Sequence, residues 1–203
     1  RKTWSMYDTG TFPIAGLSEL EFFKQPVGQG TTSIYASGVK VIADTNMKDT
    51  TLVKGENMVV YYVSAYIGTQ LSASGIPATE ILSARWVDVQ AILNGILEIT
   101  RANDAIALQI PLWKLPSGGG TTPMLPTVGS TATVASLMPT TNGAPFSDAK
   151  YFLRRNPIVI RAQESFGVKI KWGTTVDPSA TPTACNPLFI QVHLEGEMWK
   201  EAL

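Results

Sequence analysis

Residues 156–172 read NPIVIRAQESFGVKIKW. Ile158, Val159 and Ile160 make one short β-type run. Phe166, Val168, Ile170 and Trp172 make a second, alternating with Gly167, Lys169 and Lys171. Alternation with a period of two sends the apolar set to one sheet face and the lysines to the other. RAQES at 161–165 is polar enough to turn at the surface. The two runs are therefore expected to pair as a half-buried antiparallel sheet. Nothing in the stretch is poised for chemistry, and it points to architecture.

Working outward, the other strands follow from the same signal. Residues 187–199, PLFIQVHLEGEMW, alternate Phe189, Gln191, His193 and Glu195 with Ile190, Val192 and Leu194. Residues 58–67, MVVYYVSAYI, are β-branched and aromatic, bracketed by Gly55 and Gly68. Their near-continuous apolar character predicts burial on both faces. Residues 17–23, 33–42, 96–100 and 105–113 complete the strand set. Pro111 predicts that its strand ends at a sheet edge or a bulge. The period changes only at 79–94, TEILSARWVDVQAILN, where apolar residues recur at threes and fours. Thr79 suits an N-cap and Gly95 the position after the helix, which predicts one amphipathic helix. Residues 1–16 read as an irregular arm broken by Gly10 and Pro13, with Trp4 and Tyr7 as anchors.

Residues 116–145 are rich in Gly, Pro, Thr and Ser and include SGGG at 117–120. They read as a long surface excursion with one short strand near 133–137. Its apolar residues want a surface that the stretch itself does not supply. Met124, Leu125, Val134, Leu137 and Met138, with Trp4 of the arm, are the candidate subunit-interface residues. A second excursion spans 174–186. No repeat or linker divides the chain, so residues 1–203 are expected as one domain of strands with turn signals between them, a sandwich or barrel.

Composition narrows the function classes. Hydrophobic residues make up 44%, enough for a sizeable core, while charged residues are only 16%, below the roughly 25% of typical proteins. A surface so poor in charge suits contact with neighbours. Sixteen basic residues balance sixteen acidic ones, so no basic excess speaks for nucleic-acid phosphates. The longest apolar run is far short of a membrane span. The chain does not begin with Met and reads as trimmed or processed at its start.

The candidates for chemistry are few. His193 is the single histidine and is read as a hydrogen-bonded strand residue, although a Ser-His-Asp arrangement can be drawn through it. Cys185 is the single cysteine. It rules out an internal disulfide and, with one histidine, leaves no usual zinc set. The glycine run lacks the Lys-Ser/Thr of a P-loop. Asp44, Asp49 and Asp104 fall in predicted turns without EF-hand spacing. Glu195 and Glu197 share a strand face and read as solvated. Five tryptophans are scattered among different elements, as suits core or interface packing. No catalytic residue, cofactor or metal is expected.

Three phrases, LSELEFFKQPVGQG at 17–30, ALQIPLWKLPSGGG at 107–120 and NPIVIRAQESFGVKIKW at 156–172, resemble the jelly-roll capsid proteins of tailless icosahedral bacteriophages. The shared pattern is an early strand with paired Phe, a middle strand ending in Leu-Pro and a glycine run, and a Pro-led strand turning into a second. The resemblance implies a jelly roll of two packed antiparallel sheets, and with the helix and excursions read above the expected fold is an all-β jelly-roll-type sandwich with one short inserted helix and long loops. It also implies capsomers, trimeric ones, in an icosahedral virion shell, with copies of the chain and other capsid proteins as partners. It leaves contact with an internal membrane open and implies no catalytic residues. Double jelly-roll major capsid proteins are usually longer, so a single jelly roll or a minor or vertex protein is the expectation. The rival classes are a carbohydrate-recognising β-sandwich module and, further off, a hydrolase on a β scaffold.

Overall fold

The computed structural model describes the chain apart from residues 14, 32–33, 36–37, 71–90, 103–104, 116–121, 124–139, 142–149, 154, 177–187 and 201–203. The strands are β1 (Lys2–Phe12), β2 (Leu17–Phe22), β3 (Glu56–Thr69), β4 (Ile96–Arg101) and β5 (Ala105–Pro111), then β6 (Thr122–Pro123), β7 (Thr140–Thr141), β8 (Tyr151–Phe152), β9 (Ile158–Ile160), β10 (Phe166–Val176) and β11 (Leu188–Lys200). A 3-10 turn, Leu112–Lys114, follows β5.

Two antiparallel sheets pack face to face. The first runs β1-β11-β3-β8, with β9 also on β3, and the second runs β2-β10-β4-β5. A separate ladder joins β6 to β7. Because β8 and β9 pair with successive parts of β3, they fill one strand position between them. So counted, the first sheet pairs positions first, last, third and sixth. The second pairs second, seventh, fourth and fifth. This nested order is the jelly roll.

The core lies between the sheets. Met6 and Phe12 of β1, Val63, Ala65 and Ile67 of β3, and Ile190, Val192 and Leu194 of β11 are buried on one side. Phe22, Leu97, Ile99, Phe166, Val168 and Ile170 are buried on the other. Phe12 meets Trp172 edge to face at 5.0 Å, and Trp172 Nε1 donates to the Ile92 carbonyl at 2.8 Å. Residues 91–93 are helical; the rest of the expected 79–94 helix lies outside the described residues. The expected strand at 133–137 does too.

In β3 the inward set changes from even to odd numbers. Met58 and Val60 point to the core, and then Val63, Ala65 and Ile67 do. The pairing with β11 jumps from Val60–Gly196 to Tyr62–Glu195. One extra residue therefore bulges there and turns Tyr62 outward. Gly196 permits the close approach, since a Cβ on it would lie 1.8 Å from the Val59 carbonyl oxygen. The expectation that β3 is buried on both faces is thus corrected. Its outer face, where Tyr62 is exposed and Tyr66 half-buried, is only partly covered.

Three further expectations are corrected. Residues 1–16 are not an irregular arm, because Lys2–Phe12 is a full strand paired along its length with β11. Residues 33–42 are not a strand. Their described positions form bends and turns with one bridge at Tyr35, because the Asp44 carboxylate takes the backbone N–H groups of Ile34 and Val41. The two runs of 156–172 do not pair with each other. β9 joins β3 in one sheet, whereas β10 joins β2 and β4 in the other. Residues 161–165 form the corner between the sheets. Asn57 Oδ1 accepts from Ala162 N, the Leu52 carbonyl from Gln163 N, and Gln163 takes a positive φ of 59°. Within β10 the alternation holds: Phe166, Val168 and Ile170 are buried and the lysines face out. Pro111 ends β5 on the edge of its sheet, as expected.

Candidate functional site

His193 lies on the outer face of the first sheet, in register with Tyr7 on β1 and Ser64 on β3. Its Nε2 donates to Gln191 Oε1 at 3.0 Å, and its ring lies 5.6 Å from that of Tyr7. Gln191 Nε2 in turn donates to Thr9 Oγ1 and to the Ala43 carbonyl, both at 2.9 Å. Burial pushes the His193 pKa down, Glu195 raises it and Lys150 lowers it again. A neutral ring donating to an amide oxygen is a tether between strands and the adjoining loop. Glu195 pairs with Lys150 and Glu197 with Arg1. Among the described residues no cluster of His, Cys, Asp and Glu is able to hold a metal ion. Asp104, Cys185 and the glycine run lie outside the described residues.

The two outer faces differ in chemistry. On the second sheet, Lys171 pairs with the buried Glu98 at 2.9 Å, Gln109 donates to the same carboxylate at 3.4 Å, and Lys169 faces Glu19 at 3.8 Å. This is a ladder of alternating charge in which Lys169, Lys171 and Glu19 reach water and Glu98 is buried. The outer face of the first sheet carries Tyr7, Tyr62, Tyr66 and Phe152. Tyr62 and Phe152 stack at 4.9 Å while remaining 37% and 43% exposed. Lys150 lies 5.7 Å from the Tyr62 ring.

A third feature is the long connection between β2 and β3, which closes the free edge of β1. Asn46 acts as a strand would: its Nδ2 donates to the Ser5 carbonyl and its Oδ1 accepts from Tyr7 N, at 2.6 and 3.1 Å. Thr45 Oγ1 donates to the Tyr7 carbonyl, and Thr9 Oγ1 donates to the Asp44 carbonyl. Such plugging stops a sheet edge from pairing with another chain. A buried ion pair pins the connection. Lys40 Nζ stands 2.6 Å from Asp8 Oδ1, and Phe23 N donates to Asp8 Oδ2 at 2.5 Å. Burial drives the Asp8 carboxyl pKa up, while Lys40 and the Phe23 N–H oppose the rise. Sequence reading missed this pair. Asp8 was hidden in the supposed arm and Lys40 in a supposed strand, and 32 positions separate them.

Of the predicted interface residues, Trp4 is half-buried against its own core, with Lys2 Nζ 4.1 Å from its ring centre. Met124, Leu125, Val134, Leu137 and Met138 lie outside the described residues. Among the described residues no helix is long and apolar enough to cross a membrane. No protein-family model matches the chain, and no curated protein or solved structure does either.

Proposed function

We propose that this chain is a virion structural protein, a capsid subunit that assembles with copies of itself, as trimers, into a closed shell. The observation that carries the reading is the nested jelly-roll strand order, an architecture used by viral capsid domains and also by lectin domains and cupins. Fold alone does not choose among these, and the surface supplies the preference. The chain is poor in charge, and its ion pairs lie on both sheets, Lys171–Glu98 and Lys169–Glu19 on the second and Lys150–Glu195, Arg1–Glu197 and Lys200–Glu56 on the first. The first sheet also turns aromatic rings outward. Exposed aromatic rings on a surface so poor in charge suit lateral packing in a shell. The three phrases that resemble the phage capsid proteins include β2 with its following turn, the end of β5, and the β9–β10 corner. In this reading other capsid proteins are further partners, and the chain resides in the virion.

A second reading is favoured by one feature, the exposed Tyr62–Phe152 stack beside Lys150 and Glu195. Aromatic rings next to hydrogen-bonding groups suit a carbohydrate-recognising module. Size-exclusion chromatography with light scattering separates the two. Trimers or larger assemblies are expected for the capsid subunit. A stable monomer that binds glycans, and loses them in Tyr62→Ala, would overturn it in favour of the module.

A further inference from the structure

Among the described residues nine large hydrophobic side chains are exposed, and five of them, Val27, Val39, Val41, Ile42 and Val53, belong to the connection between β2 and β3. Single exposed apolar residues need no explanation, but a group does. Ile42 is the most exposed of the nine, at 65%, and its backbone is fixed. Its carbonyl accepts from the Tyr7 hydroxyl at 2.5 Å, and the Asp44 carboxylate takes the N–H of Val41 at 3.0 Å. An apolar side chain held out on a fixed backbone loses little entropy when it is covered.

Beside Ile42 a groove of about 260 Å³ opens between the connection and the neighbouring ends of β1, β3 and β11. Trp4, Met6, Met47, Leu52 and Met198 line it, with Ile42 and Val53 at its exposed rim. One patch of surface thus carries an apolar projection and an apolar recess side by side. A two-fold contact between identical chains requires that combination, because the same patch serves on both sides. The charges of the groove have the same property. Its connection wall carries Lys48 and Asp49, and its strand wall carries Lys2 and Glu56, the first residues of β1 and β3. Each wall holds one charge of each sign. A partner of one dominant sign gains nothing there, whereas a second copy brings an opposite charge for each.

Other occupants fit less well. The groove is smaller than the roughly 300–1,000 Å³ of usual small-molecule pockets, and its methionines adapt readily to an inserted side chain. Asn46 already bonds Ser5 and Tyr7 of β1 beside it, so a second chain meets side chains there and not an open ladder. We infer that this patch is a two-fold contact between copies of the chain, in which Ile42 of each copy enters the groove of the other. The inference rests on the proposed self-assembly and locates one of its contacts. A trimer closes on itself, so a shell of trimers needs a further contact that joins them, and a two-fold contact does so with a single patch.

The test uses the full chain. Ile42→Asp is expected to weaken association beyond the trimer about tenfold or more in light scattering, with the thermal midpoint of the separated units unchanged. A photoreactive phenylalanine derivative at position 42, in an equal mixture of ordinary and isotope-labelled chains, reads the contact itself. Crosslinks are expected to join a labelled to an unlabelled copy and to end in residues 2–6 or 47–56, which include the groove walls. Assemblies that form as well with Ile42→Asp, or crosslinks between copies that end elsewhere, would overturn the inference and leave the capsid reading standing. Crosslinks confined to single copies, or Ile42→Asp units that melt earlier, would mean that Ile42 packs on its own molecule, which also overturns the inference. A wild-type chain that stays monomeric would overturn both.

Discussion

Phe166 starts β10 and is buried, its ring 5.6 Å from that of Phe23. Phe166→Ala should cost about 3–5 kcal/mol, as large aromatic truncations in cores do. An unchanged denaturant midpoint would contradict its place in the core. His193 makes a different prediction. Its folded pKa lies below its ordinary value of 6.5 because burial disfavours the charged ring. Between those two values the unfolded chain binds more protons than the folded one, so stability rises with pH across that window. The contribution is complete above pH 6.5 and is lost as pH falls toward the folded value. As the chain has one histidine, His193→Gln should flatten the thermal midpoint across this window, and an unchanged slope would refute the assignment. Both residues were legible in the sequence as alternating strand positions. Asp8 was not. The inward set of β1 is Met6, Asp8, Gly10 and Phe12, and a charge and a glycine in that row erase the apolar alternation by which a strand is recognised.

The connection between β2 and β3 shows where reading by local pattern stops. Residues 33–42 have strand-like composition, yet Asp44, outside the run, captures two of their N–H groups. Asp8, far upstream, captures Lys40. Side-chain bonds to backbone compete with sheet ladders, and their partners are visible only in three dimensions. The β9–β10 corner teaches the same lesson: alternation identified both strands but could not assign them to different sheets. The pin itself is testable. Asp8→Asn leaves the buried Lys40 without its counter-charge and should cost about 3–5 kcal/mol. Replacing both partners, Asp8→Leu with Lys40→Met, should recover most of that loss, since an apolar pair needs no compensation. A double variant as unstable as Asp8→Asn, by urea denaturation, would show that the ion pair is not what holds the connection.

In the whole molecule, the nested strand order leaves four lateral sheet edges, and at least one of them, that of β1, is plugged by its own loop. The β1 edge is therefore closed to strand addition by another chain. In the proposed assembly, contact is left to side-chain surfaces such as the aromatic face of the first sheet. The sequence made the two-sheet architecture legible because β3, β4, β10 and β11 carry clear strand patterns. It did not reveal which surfaces lie side by side, since Trp4, Ile42, Val53 and Met198 meet only through the fold. The capsid reading is tested most directly by electron microscopy of the purified full chain at assembly-favouring concentration. Discrete trimers, or closed shells built from them, are the predicted result. A field of single monomers at every concentration would contradict it.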